Sequence, residues 1–277
     1  MPPTGPIRPA RDHELPLLGQ HYQRSNFSSN LAEMARFARD RLGGEFFVAE
    51  RDGEPVGASA CAHFGATGWV GGVAVLPERR GGGLGAALTQ AAVDRLFQLG
   101  ASTVMLYATE MGRPVYERLG FVAEGECVTL QSTGAREGPG VPGVRPARGD
   151  DLEAALALDR HATAEDRARL LAAFWPKEAL VVESDGGLGG YFLSSPWRPG
   201  GAIVARDLEA GLALVAAARR HTGGELFLSV PGGNQPALRA LTAAGHREHS
   251  RTTRMRLGPP LQWHPRALFS AFNLFWG

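Results

Sequence analysis

Apolar positions along the chain fall into short runs with two spacings. In residues 31–42 they recur every three to four positions (Leu31, Met34, Ala35, Ala38, Leu42), which predicts an amphipathic helix. Phe46-Phe47-Val48-Ala49-Glu50 reads as a strand and Pro55-Val56-Gly57-Ala58-Ser59-Ala60-Cys61-Ala62 as its return, because Arg51-Asp52-Gly53-Glu54 between them carries the Asp-Gly hairpin signal. Residues 69–76 form another strand. Over residues 84–99 the helical spacing reappears at Leu84, Ala87, Leu88, Ala91, Ala92, Leu96 and Leu99. Residues 103–108 then read as strand, 114–119 as a short helix closed by Gly120, and 121–131 as strand. A strand, a glycine loop, a helix and a strand therefore follow one another at the centre of the first half.

The chain repeats itself. Ile7-Arg8-Pro9-Ala10-Arg11 is echoed by Val144-Arg145-Pro146-Ala147-Arg148, 137 residues later in a chain of 277. Just before the echo, residues 132–143 lose all apolar periodicity and fill with Gly and Pro, as a linker does. The expected organisation is a first domain over 1–133, a linker over 134–143 and a second domain over 144–277, related by duplication. In the second, Tyr191-Phe192-Leu193-Ser194-Ser195 and Gly201-Ala202-Ile203-Val204 stand where central strands belong. Ala205-Arg206-Asp207-Leu208-Glu209-Ala210-Gly211 opens an apolar-periodic helix that runs to Arg219.

Composition narrows the classes of function. Lys plus Arg number 29 against 28 Asp plus Glu, so no bulk basic field exists for nucleic acid or a membrane surface. An apolar fraction of 44% is that of a folded globular protein. No signal-like apolar segment opens the chain, and no apolar run is long enough to span a membrane. Cys61 and Cys127 lack metal-ligand spacing and suit a reducing compartment, so the expectation is a soluble cytoplasmic protein without a metal.

The candidate chemistry lies in Glu78-Arg79-Arg80-Gly81-Gly82-Gly83-Leu84-Gly85-Ala86, where a glycine loop runs straight into a helix. The unpaired N–H groups of a helix start, with the helix dipole behind them, attract an anion, and glycines let backbone approach a phosphate. No Gly-Lys-Ser/Thr follows, and the spacing is not that of the dinucleotide fingerprint. Arg80-x-x-Gly83-x-Gly85, approached by Val73-Ala74-Val75-Leu76-Pro77, resembles the pyrophosphate-binding signature of the GCN5-related N-acetyltransferases. Downstream, Gly112-Arg113-Pro114-Val115-Tyr116-Glu117-Arg118-Leu119-Gly120-Phe121 resembles the family's Y-x-x-L-G-F segment, in the same order and at a fitting separation.

The resemblance implies an α+β fold of two tandem domains, each with a mixed, mostly antiparallel central sheet flanked by helices. It implies acetyl-CoA as co-substrate, its pyrophosphate resting on backbone N–H groups of Arg80, Gly81, Gly82, Gly83, Leu84, Gly85 and Ala86, with an Arg side chain adding charge. It places the pantetheine arm on main chain near Val73 and Val75, and makes Tyr116 the acid that protonates the departing thiolate. The implied activity is acetyl transfer to a primary amine of a small molecule by a monomer or homodimer. A non-catalytic acyl-CoA sensor or scaffold, and a protein lysine as acceptor, stay open as alternatives.

The approach strand carries no carboxylate, so the general base is open between Glu110, His63 and none. His21, Tyr22 and Phe27 are candidates for the acceptor side. The second half has no G-x-G, and Asp207 and Glu209 would repel a pyrophosphate at its helix start. Setting Gly245 against Gly120 puts Leu241 in the tyrosine's place. This half resembles the C-terminal half of bacterial two-domain acetyltransferases of the YitH type, which implies a cover for the acceptor cleft or a dimerising surface. The tail Leu268-Phe269-Ser270-Ala271-Phe272-Asn273-Leu274-Phe275-Trp276-Gly277 is expected to pack, either as a last element of the second core or as a wall of the acceptor site whose terminal carboxylate supplies the base.

Overall fold

The computed structural model describes residues 6–15, 17–19, 31–134 and 140–277; His21, Tyr22 and Phe27 lie outside the described residues. The chain forms two compact units that interleave along the sequence. The first comprises Met1–Ala123 with Met255–Pro260 and Trp276, the second Glu124–Arg254 with Leu261–Phe275 and Gly277.

In the first unit, β1 (Ile7–Pro9), β2 (Glu45–Arg51), β3 (Glu54–Phe64), β4 (Thr67–Val75) and β5 (Thr103–Ala108) lie side by side in that order. Neighbours from β1 to β4 are antiparallel and β4–β5 is parallel. The helices are α1 (Leu31–Leu42), α2 (Leu84–Gln98) and α3 (Arg113–Arg118). The predicted hairpin is present: Asp52 and Gly53 have φ of 54° and 82°, the pair of positive values a two-residue turn of matching twist requires. Leu88, Ala92 and Leu96 of α2 pack with Val56, Val70, Val104 and Leu106 of the strands, and Met255 joins the same core. Thr103 Oγ1 donates to Pro259 O at 2.8 Å, fastening the 255–260 segment beside β5.

The second unit contains most of β6 (Val122–Ser132), then β7 (Val144–Pro146), β8 (Ala179–Ser184), β9 (Gly187–Ser194), β10 (Gly201–Ala205), β11 (Leu226–Pro231), most of β12 (Arg247–Leu257) and β13 (Leu268–Ser270). Five of these form an antiparallel sheet in the order β13-β10-β9-β8-β7, while β11 pairs antiparallel with β6. Its helices are α4 (Leu152–Thr163), α5 (Ala168–Phe174), α6 (Leu208–His221) and α7 (Gln235–Ala243). The fold is α+β with mostly antiparallel sheets, as the sequence implies.

The repeated Arg-Pro-Ala-Arg is a structural clamp, made twice. Arg8 holds Glu14 through both terminal nitrogens at 2.9 and 2.6 Å and Glu50 of β2 through Nε at 3.1 Å. Arg145 holds Asp151 at 2.7 and 2.9 Å and Glu183 of β8 at 2.7 Å. Each inner carboxylate also accepts the N–H of the second arginine of its motif, Arg11 or Arg148, at 2.7 Å.

The tail closes the second core. β13 pairs with β10, and Phe269 packs on α6 so closely that a Cβ at Gly211 would fall 2.2 Å from its ring. Gly277 O accepts from Arg167 Nη1 at 3.0 Å; Arg167 is buried with Asp159, which it holds at 3.0 and 2.5 Å and to which the Tyr191 hydroxyl also donates. That oxygen is therefore already held by a buried guanidinium. Trp276, assigned to the first unit, stacks on Phe37 with ring centroids 5.8 Å apart.

Candidate active site

A fork between two parallel strands forms the heart of the first unit. β4 and β5 pair at Thr67↔Thr103, Gly68↔Val104 and Trp69↔Met105, and no further. The Trp69 and Tyr107 rings stack at 5.0 Å near this closed end. Beyond Trp69, β4 keeps its bonds to β3 and leaves its other edge open. On its β3 side β4 carries a bulge: Ala58 faces Ala74 while Ala60 faces Gly71, so Ser59 stands against both Gly72 and Val73. Gly72, at φ 60°, supplies the backbone the bulge needs. The sequence reading found the strand and missed the bulge, although a Gly-Gly pair inside a strand signals one.

The bulge decides which way the later residues point. Leu76 donates its N–H to Val56 O on the β3 side, so alternation along the strand turns the main-chain groups of Val75 toward the open edge. Val73, half-buried, packs against the unit's core. Arg80 Nε donates to Val75 O at 3.0 Å, tying the glycine loop back to the end of its strand.

The loop presents bare backbone. Gly81 and Gly83 have φ of 83° and 78°, and Gly83 is the N-cap of α2 with no side chain capping it. A Cβ added at Gly81, Gly83 or Gly85 would meet nothing within 4 Å. The first helical bond is Ala87 N–H to Gly83 O at 3.0 Å, and among the described residues the N–H groups of 81–86 donate to no main-chain carbonyl. Leu84 is buried and anchors the helix start in the core, and the first turn holds no acidic residue. Six main-chain donors at the positive end of a helix, open above the glycines, make an anion cradle.

Two contacts from outside the motif reach this cradle. Asp52, in the β2–β3 turn, stands 3.9 Å from Arg79 Nη2. Arg51 points at the loop: a Cβ on Gly82 would be 3.8 Å from Arg51 Nη2. Sequence reasoning missed Arg51, because nothing local marks an arginine some thirty residues upstream as a neighbour of the loop.

Tyr116 sits on α3, its ring half-buried against the core that also holds Leu84 and Leu88 and edge-on to Phe121 at 6.1 Å. Gly112 leaves room for it, since a Cβ there would fall 3.0 Å from the tyrosine ring. Gly120, at φ 89°, ends the helix and turns the chain into Phe121, whose N–H returns to Tyr116 O at 3.0 Å. Burial pushes the Tyr116 hydroxyl up to about 12, so it keeps its proton through neutral pH.

The two base candidates part company. Glu110 is exposed in the turn between β5 and α3, at the open end of the fork. His63 lies on β3 opposite Gly68, at the closed end, five residues along β4 from Val73, which is about 17 Å of strand. Cys61, whose thiol burial pushes up to about 12, is a packing residue.

The second unit builds the same start of a helix differently. Asp207 is the N-cap of α6 and accepts the Ala210 N–H at 2.9 Å, with Glu209 in the first turn. Carboxylates thus occupy the place where α2 offers free donors. Leu241 is buried in this unit's core and offers no proton.

Comparison with known proteins gives the family and the fold. The model of the acetyltransferase (GNAT) family matches residues 12–121, and that of an acetyltransferase (GNAT) domain matches residues 155–270. A mycothiol acetyltransferase of Streptomyces griseus subsp. griseus is 44% identical over 84 residues, covering 27% of this chain and 26% of that protein. One from Streptomyces coelicolor is 45% identical over 83 residues, covering 28% and 26%. The chain thus aligns with about a quarter of the length of these relatives. Among solved structures, a Pyrococcus horikoshii protein described as an acetyltransferase superposes with a TM-score of 0.84 at 19% identity, over 98% of this chain and 95% of that one. The tandem GNAT protein from the clavulanic acid biosynthesis pathway superposes with a TM-score of 0.62 at 16% identity, over 92% and 99%. At these identities the structural likeness speaks to fold. Two family matches in tandem take in well over half of the residues, and the chain belongs to the GNAT acetyltransferase family, with two GNAT-type domains.

Proposed function

We propose that the first unit transfers the acetyl group of acetyl-CoA to a primary amine of a small molecule. The observation that carries this reading is the row of free N–H groups over 81–86, beneath open space and at the end of a strand whose edge is also open. The pyrophosphate fits the cradle, and the pantetheine arm fits the edge of β4 past the bulge. Because Arg80 already takes Val75 O, the arm meets the N–H at Val75 and the main chain near Val73.

The chemistry follows from that placement. A neutral amine attacks the thioester carbonyl, a C–N bond forms and the C–S bond breaks. Tyr116 gives its proton to the departing thiolate, and the proton of the new ammonium leaves to water, with Glu110 the carboxylate at this end of the fork. The partial likeness to proteins named mycothiol acetyltransferases supports a small-molecule acceptor over a protein lysine.

One observation favours a second reading. β4 carries no carboxylate, so a non-catalytic acyl-CoA sensor also fits the cradle. Calorimetry with acetyl-CoA, expected to give one site per chain, joined to a thiol-release assay over a panel of small amines and lysine peptides, separates them. Binding without CoA release from any acceptor supports the sensor; no binding at all overturns both.

A further inference from the structure

Resting on the reading of the glycine loop as a pyrophosphate cradle, we propose that Arg51 is the side-chain cation of that cradle. It reaches the loop from the β2–β3 hairpin, outside the motif. The motif's own arginines are engaged elsewhere: Arg80 Nε is bonded to Val75 O, and Arg79 Nη2 lies 3.9 Å from Asp52. Arg51 has no ion pair or side-chain hydrogen bond among the described residues. Its Nε is shut from solvent and unsatisfied, while its Nη2 stands 3.8 Å from a Cβ built on Gly82.

Those two nitrogens form one edge of the guanidinium, the edge that binds two oxygens of a phosphate side by side. An unsatisfied buried donor is costly, and a charged acceptor arriving over Gly82 removes that cost. The acidic groups around it do not compete. Glu50 is held by Arg8, Asp52 faces Arg79, and Glu54, the cross-strand partner of Arg51, is exposed and makes no ion pair with it among the described residues.

The test uses the full chain with three ligands: acetyl-CoA, its analogue lacking the 3′-phosphate, and S-acetyl-pantetheine, which has no phosphate. Arg51→Ala should weaken the first two equally, by about 10- to 100-fold, the range for a hydrogen bond to a charged group. It should leave S-acetyl-pantetheine unchanged. Arg51→Lys, which keeps the charge and loses the fork, should fall between, and covers the case in which the alanine variant does not fold. Affinity for acetyl-CoA within twofold of wild type, in a variant with native circular dichroism, overturns the proposal. So does a loss confined to acetyl-CoA and absent with the 3′-dephospho analogue, which would put Arg51 on the 3′-phosphate. A wild-type protein that binds none of the three removes the cradle itself, an outcome distinct from a cradle that works without Arg51.

Discussion

Gly83 closes the loop before α2 at φ 78°, with open space where a side chain would go. A non-glycine residue there costs roughly 1–2 kcal/mol of backbone strain and little else, so Gly83→Glu should fold. Its carboxylate would lie over the cradle, and acetyl-CoA affinity should fall by more than about 100-fold in calorimetry; an unchanged affinity would remove the anion from this loop. Tyr116→Phe keeps the ring on Phe121 and takes away the proton. Acetyl-CoA affinity should hold while turnover drops roughly 100-fold, and full turnover would assign the proton to another donor. The repeated clamps act on stability. Arg8 holds the Glu14 carboxyl down at about 2, and Arg145 holds Asp151 at about 2. A carboxyl lowered by folding contributes fully above its unfolded value, and the contribution is lost as pH falls through the folded one. The window here runs from about pH 5 down to about pH 2. Glu14→Gln combined with Asp151→Asn should flatten the decline of the urea midpoint across that window; an equal slope would show that the clamps contribute nothing.

At the scale of elements, two helices with similar apolar spacing open on opposite chemistry. α2 begins with bare glycine backbone, α6 with the Asp207 carboxylate on its own third N–H. Asp207→Ala should therefore cost about 1 kcal/mol of stability, the usual worth of an N-cap, and leave acetyl-CoA affinity unchanged. A second acetyl-CoA bound per chain in that variant would show that the cap alone had been excluding one. Gly211, in the same helix, is unsuitable as a control. The Phe269 ring lies where its Cβ would be, so any side chain there breaks the packing of the tail. Both the bulge at Gly72 and the place of Phe269 are matters of partner strands and facing elements, which local spacing does not report.

Across the whole molecule, the interleaving of the two units sets what can be cut. Cleavage within residues 134–143 would leave the first unit without Met255–Pro260, and with it Met255 of its core and the Pro259 oxygen that Thr103 bonds. It would leave the second without residues 124–132, of which Cys127 to Ser132 pair with β11. Residues 1–133 expressed alone should melt without a cooperative transition, and co-expression with 144–277 should restore one. A cooperative melt of the isolated fragment, within a few degrees of the full chain, would show that the first unit does not need the 255–260 segment.

The sequence by itself determined the elements read between residues 31 and 131 to within two residues, the bare glycine start of α2 and the acidic start of α6. Each of these is written in neighbours three to five positions apart, where propensity, hairpin chemistry and capping act. The echoed Arg-Pro-Ala-Arg was visible as text, yet its purpose waited on Glu50 and Glu183, each some forty residues further along the chain. Only the tertiary structure decided where β4 and β5 part, which edge Val75 faces, that Arg51 leans over Gly82, and that Met255–Pro260 belongs with the first unit. These depend on strand register and on contacts between segments distant in sequence, and free energy gained there comes from burial and pairing that no single window of residues contains.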